Sequence, residues 1–99
     1  MKDLLFEIDS QSERELYEEF AKRGWKVLPK GAEKRTTEGS YHLQAVLIAN
    51  QEAFWFGIAE QQTGRRLLMI GSVSNRSRVN EYDSFRFLVE SMLKKAEKL

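Results

Sequence analysis

Tyr41-His42-Leu43-Gln44-Ala45-Val46-Leu47-Ile48-Ala49-Asn50-Gln51-Glu52-Ala53-Phe54-Trp55-Phe56-Gly57-Ile58-Ala59 is the stretch whose reading decides the fold. Asn50-Gln51 stands midway between two apolar runs, so two antiparallel strands joined by a tight turn are expected. That turn sets Leu47 opposite Phe54. Successive strand side chains point to opposite sides of a sheet. On this pairing Tyr41, Leu43, Ala45 and Leu47 share a face with Phe54, Phe56 and Ile58, while His42, Gln44, Val46 and Ile48 share the other with Trp55, Gly57 and Ala59.

Outward from this hairpin, a second turn is expected at Thr63-Gly64, leading into Arg66-Leu67-Leu68-Met69-Ile70-Gly71-Ser72-Val73. A two- or four-residue loop puts Leu67, Met69 and Val73 on the aromatic face, and Arg66, Leu68, Ile70 and Ser72 on the other. Upstream, Leu4 to Ile8 fits a short strand by its period of two. Asp9, Ser10 or Ser12 can cap a helix carrying Leu16, Tyr17 and Phe20, which Gly24 ends. Trp25 to Leu28 reads as a short strand stopped by Pro29, and 30–40 as a polar, mobile loop. After the polar run 74–78, Asn80 or Asp83 can cap a last helix whose stripe is Tyr82, Phe85, Leu88, Val89, Met92, Leu93, Ala96 and Leu99. Phe87 falls outside the stripe, and Lys94, Lys95 and Lys98 complement its C-terminal end.

These elements predict an α+β two-layer sandwich. An antiparallel sheet of three to five strands carries the N-terminal and C-terminal helices on one face, in the order (β)αββββα. Ninety-nine residues with six Phe, two Trp and three Tyr suffice for one domain over 1–99 without a disulfide or structural metal. The absence of cysteine suits a reducing compartment, and cytoplasm is expected. The longest apolar runs, 45–49 and 53–59, are far too short for a membrane span, and the N-terminal residues lack a signal peptide's apolar core.

The net charge of +1 conceals segregation along the chain. Residues 1–19 are acidic but for Lys2 and Arg14. Residues 20–36 are basic but for Glu33, 37–64 contain no base, and 65–78 contain no acid. The terminal block is balanced.

No catalytic set emerges. With one histidine and no cysteine, a zinc site of several histidines or thiolates cannot be built in one chain. His42 has no nucleophile or orienting acid evident near it, and the glycines form neither a dinucleotide-binding nor a phosphate loop. Gly24-Trp25-Lys26-Val27 after a helix resembles the opening of many metal-dependent nucleases in order only. Gln44 replaces the first acid and Glu60-Gln61-Gln62 replaces Glu-x-Lys, so one carboxylate would remain to hold the metal. The helix, three strands, helix order is also that of double-stranded RNA-binding domains, but Glu81 and Asp83 occupy the turn where they carry bases. No cofactor and no metal is expected.

Two helices can cover one face of the sheet, leaving the other for a partner. The expectation is a non-catalytic interaction module, an adaptor, regulator or inhibitor, that binds a protein or itself through Trp55, Val46, Ile48, Leu68 and Ile70, with His42, Gln44 and Arg66 at the rim. Its competitor is nucleic-acid backbone binding through the basic loop 26–35, with Lys30, Lys34 and Arg35, and the cluster Arg65, Arg66, Arg76 and Arg78.

Overall fold

The computed structural model describes residues 4–37 and 39–96. They form β1 Leu4–Glu7, α1 Ser10–Lys22, β2 Lys26–Thr36, β3 Gly39–Ile48, β4 Gln51–Glu60, β5 Arg66–Val73, α2 Val79–Met92 and β6 Lys94–Lys95. The strands make one open antiparallel sheet in the order β2-β3-β4-β5-β1-β6. The α+β class holds, but the sheet has six strands rather than three to five, and the described chain ends in strand rather than helix.

α1 starts at a reciprocal cap. The Ser12 backbone N–H donates to Asp9 Oδ1 at 2.7 Å, and the Asp9 N–H donates to Ser12 Oγ at 2.9 Å. The bond from the Ser12 backbone, the largest cause, favours ionised Asp9 and holds its carboxyl below the usual range. The stabilisation is therefore present above the unfolded-state pKa and is lost as pH falls through the folded one. Gly24, at φ 74°, takes the left-handed conformation that lets the chain turn out of the helix into β2.

β2 is the first departure from expectation. The chain does not stop at Pro29 but runs on to Thr36, with an irregularity in its pairing to β3 between Pro29 and Glu33. An edge strand can carry proline because one side of its ladder is unpaired. Residues 30–36 and 39–40, expected as loop, are therefore strand.

The second departure is at the C-terminal end. α2 buries Tyr82, Phe85 and Val89, but Leu93 is extended, Lys94 and Lys95 pair with Glu7 and Phe6, and the Ala96 N–H donates to the Leu5 carbonyl at 2.9 Å. Lys94 and Lys95 thus close a sheet edge instead of a helix; Lys98 and Leu99 lie outside the described residues. Neither Asn80 nor Asp83 caps α2. Asn75 caps the 3-10 turn Arg76–Arg78 that leads into it, accepting from the Ser77 N–H at 3.1 Å.

The third departure inverts two strands. Ala49 (φ 53°) and Asn50 (φ 64°) form the two-residue turn, one position earlier than expected, with Ile48 opposite Gln51 and Leu47 opposite Glu52. A bulge follows, so that Val46 lies opposite Phe54 and Ala53 is the extra residue. The Ala53 carbonyl accepts from the N–H groups of Ser74 (2.8 Å) and Asn75 (3.2 Å). The second hairpin has a three-residue loop, Gln62-Thr63-Gly64, with Gly64 at φ 87° and Gln61 bonded to Arg65. Each extra residue shifts the pairing by one and exchanges the faces of the neighbouring strand.

Relative to β4, β3 and most of β5 are therefore turned over. Val46, Phe54, Phe56, Ile58, Leu68 and Ile70 face the helices and join Phe6, Ile8, Leu16, Phe20, Tyr82, Phe85, Val89 and Leu93 in the main core. Tyr41, Leu43, Trp55, Ala59, Leu67 and Met69 point away from it, with Leu5 and Ala96. Val73 stays on the helical side opposite Phe54, because a second irregularity places two residues, Gly71 and Ser72, across from Trp55.

Candidate functional site

Among the described residues no helix packs on the second sheet face; it is covered largely by its own side chains. Leu5, Tyr41, Ala59, Leu67, Met69 and Ala96 are buried in one cluster, with Leu43 and Trp55 partly buried against it. Two glycines make this arrangement fit. A Cβ at Gly57 would stand 2.9 Å from Tyr41 Cβ and 3.3 Å from Leu43 Cδ2, so those side chains lie close on the β4 backbone. A Cβ at Gly71 would overlap the fused ring atoms of Trp55, so the indole lies directly on the β5 backbone. From the opposite side of the sheet the Tyr82 hydroxyl donates to the Gly71 carbonyl at 2.6 Å.

Gly71 is thus held between α2 and Trp55. Gly71→Ala is expected to cost about 1–3 kcal/mol, the range for overpacking a filled site. In a Trp25→Phe background, the displaced Trp55 should emit at longer wavelength and quench more readily. An unchanged spectrum would mean that the indole does not rest there.

Around Trp55 the surface is apolar and the rim basic. Trp55 pairs across the ladder with Ala45, and Ala45 with Leu28, so the three form one row on this face; Leu28 is 49% exposed. Lys26 pairs with Leu47 and Lys34 with Tyr41, which puts both lysines on the same side. Glu52, opposite Leu47, is ion-paired with Lys30. At the far edge Glu7 binds Arg65 Nε at 2.9 Å and stands opposite Lys94.

Most of the expected partner-binding residues lie elsewhere. Val46, Leu68 and Ile70 are buried under the helices and Ile48 packs against them, because of the inverted strands. Of that apolar set, Trp55 alone remains on the helix-free face. His42, Gln44 and Arg66 also belong to the helical side. His42 Nδ1 lies 3.3 Å from Glu33 Oε1 across the β2–β3 ladder. Gln44 lines a groove of about 320 Å³ with Tyr17, Phe20, Trp25 and Val27.

Arg66 Nη1 contacts Glu13 Oε1 of α1 at 2.6 Å, and the Tyr17 hydroxyl donates to Glu13 Oε2 at 3.1 Å. Burial first, then the negative charge of Glu13, push the Tyr17 phenol well above its usual range, and the Glu13 hydrogen bond raises Arg66. These groups tie α1 to the sheet. Both protons are held more tightly than usual, which suits anchoring rather than proton transfer.

The basic residues do not gather. Arg65 and Arg66 are adjacent in the chain and engage carboxylates on opposite sides, Glu7 and Glu13; Arg78 Nη1 is 3.3 Å from Glu81. Arg76 and Arg78 sit in the turn before α2, and Lys30, Lys34 and Arg35 run along β2. Among the described residues no group of three or more His, Cys, Asp or Glu is placed to hold a metal ion, and no helix is long and apolar enough to cross a membrane.

Sequence reasoning missed Leu28, Leu43 and Leu47 as neighbours of Trp55. Gly64 carried a usable signal, since glycine in the third position of a three-residue hairpin loop favours that loop over a two-residue one. Nothing in the residue types marks Ala53 as a bulge. No family model, curated protein or solved structure matches this chain.

Proposed function

We propose that this protein is a non-catalytic interaction module that docks a protein partner on the helix-free sheet face around Trp55. The observation that supports it is the Trp55 indole lying on Gly71, partly exposed, beside Leu43 and Leu47 and in one row with exposed Leu28. An aromatic anchor seated on rigid backbone loses little freedom on binding, and partly covered neighbours exclude water around it. A cysteine-free chain suits the cytoplasm as its place of action. Nucleic-acid binding is the second reading, resting on the cations along β2. It is weaker because Lys30, Arg65, Arg66 and Arg78 already neutralise carboxylates, which reduces the charge left for phosphates.

The test pairs two exposed aromatics. A partner identified by its binding to the intact chain, then purified, should bind Trp55→Ala at least about thirtyfold more weakly, the effect of losing an anchor worth 2 kcal/mol or more. Phe87→Ala, on the outer side of α2 where Phe87 is 66% exposed, should bind normally. Circular dichroism should find both variants folded. Equal binding by folded Trp55→Ala and the intact chain would refute the reading.

A further inference from the structure

The helix-free face does more than expose apolar surface, because cations outnumber carboxylates on it. Its carboxylates among the described residues are Glu7 and Glu52, and each is held by a cation, Arg65 or Lys30. Lys26 stands two residues from exposed Leu28 along β2, on the side of the sheet that carries Leu47. Lys94 stands at the opposite edge, across from the already engaged Glu7. The apolar row Trp55–Ala45–Leu28 therefore lies inside a rim with excess positive charge.

We infer that the partner presents an apolar or aromatic side chain flanked by carboxylates, and that it is a different protein rather than a second copy docked face to face. This rests on the docking reading above. Three considerations lead to it. Complementary rims steer and select partners, and like charges across an interface are costly. Stacking this face on itself would bring two lysine-bearing rims together. Adding a strand at β2 is also disfavoured, since Pro29, the irregular pairing after it and the lysines blunt that edge. The occupant accordingly lies on the face. Leu28, Leu43 and Leu47 suit a protein side chain better than a nucleobase.

The test selects a displayed library of random dodecapeptides on the immobilised full chain at low salt. Enriched peptides should place Asp or Glu on both sides of an aromatic or aliphatic residue. One of them, synthesised, should bind more weakly as salt rises and about tenfold more weakly to Lys26→Glu/Lys94→Glu. It should also fail to bind Trp55→Ala, and the chain alone should be a monomer by light scattering.

The failures are distinct. Peptides that need Trp55 but lack acids, or that ignore the lysine changes, would overturn the acidic partner and leave the docking face standing. Binding indifferent to Trp55, or no enrichment at all, would overturn both. A dimer that Trp55→Ala dissociates, or Trp55-dependent retention of a labelled single-stranded oligonucleotide, would replace the acidic protein by a second copy or a nucleic acid.

Discussion

Val46→Asp is expected to abolish folding, whereas Leu47→Asp, one residue further on, should leave a folded protein. Val46 is fully buried opposite Phe54 beneath the helices, packed in the hydrophobic core. A carboxylate there either stays ionised without a partner or takes up a proton at substantial cost, and the burial of the valine is lost as well. The sum exceeds about 5 kcal/mol, comparable with the whole stability of a small domain. Leu47 is partly exposed on the opposite face beside Lys26, where an acid is solvated and has a cation for a neighbour. Far-ultraviolet circular dichroism and thermal melts of the two variants decide between them. Leu68→Asp should behave like Val46→Asp, since Leu68 is equally buried on the same side. If Leu47→Asp unfolds and Val46→Asp melts normally, β3 is paired one residue away from the register described above.

That contrast marks how far the sequence could be read. Alternation by itself tells that Phe54 and Trp55 point in opposite directions, and that the Phe54 and Phe56 side takes the helices; both follow from residue types within one strand. Asp9 as one of three cap candidates, the stop at Gly24 and the α2 stripe of Tyr82, Phe85 and Val89 were likewise legible, because each depends on local chemistry. Which residues join Trp55 was not legible, for it depends on pairing between strands. Ala53 and the third loop residue each shift that pairing by one, and each shift exchanges a full set of side chains between faces. Val46, Leu68 and Ile70 went to the core for that reason alone. The continuation of β2 past Pro29 was missed for another: its residues are polar and include Pro29 because it is an edge strand with little to bury. Lys94 and Lys95 carry no strand signal at all, and only the free edge of β1 gives them a ladder to join.

Phe85→Ala is the other change with a large expected effect, about 3–5 kcal/mol. Phe85 is the point where α2 meets both the sheet and α1. Its ring stacks on Phe54 with centroids 4.7 Å apart and planes 28° from parallel, and it lies 5.9 Å from Phe56 and 5.6 Å from Phe20 of α1. All four rings are essentially inaccessible to solvent. Truncation opens a void bounded by aromatic faces on two layers, and rigid rings collapse into such a void poorly, which places the cost high in the usual range. For a chain of 99 residues, each kcal/mol moves the melting temperature by about 4–8 °C, so a fall of more than about 12 °C is expected. A double-mutant cycle of Phe85→Ala with Phe54→Leu should return a coupling of about 0.5–1.5 kcal/mol, the amount by which an aromatic pair exceeds its area burial. Additive losses would mean the two rings merely share the core. Coupling within that range would establish the stack as the joint between the helical layer and β4, the strand that presents Trp55 to the other side.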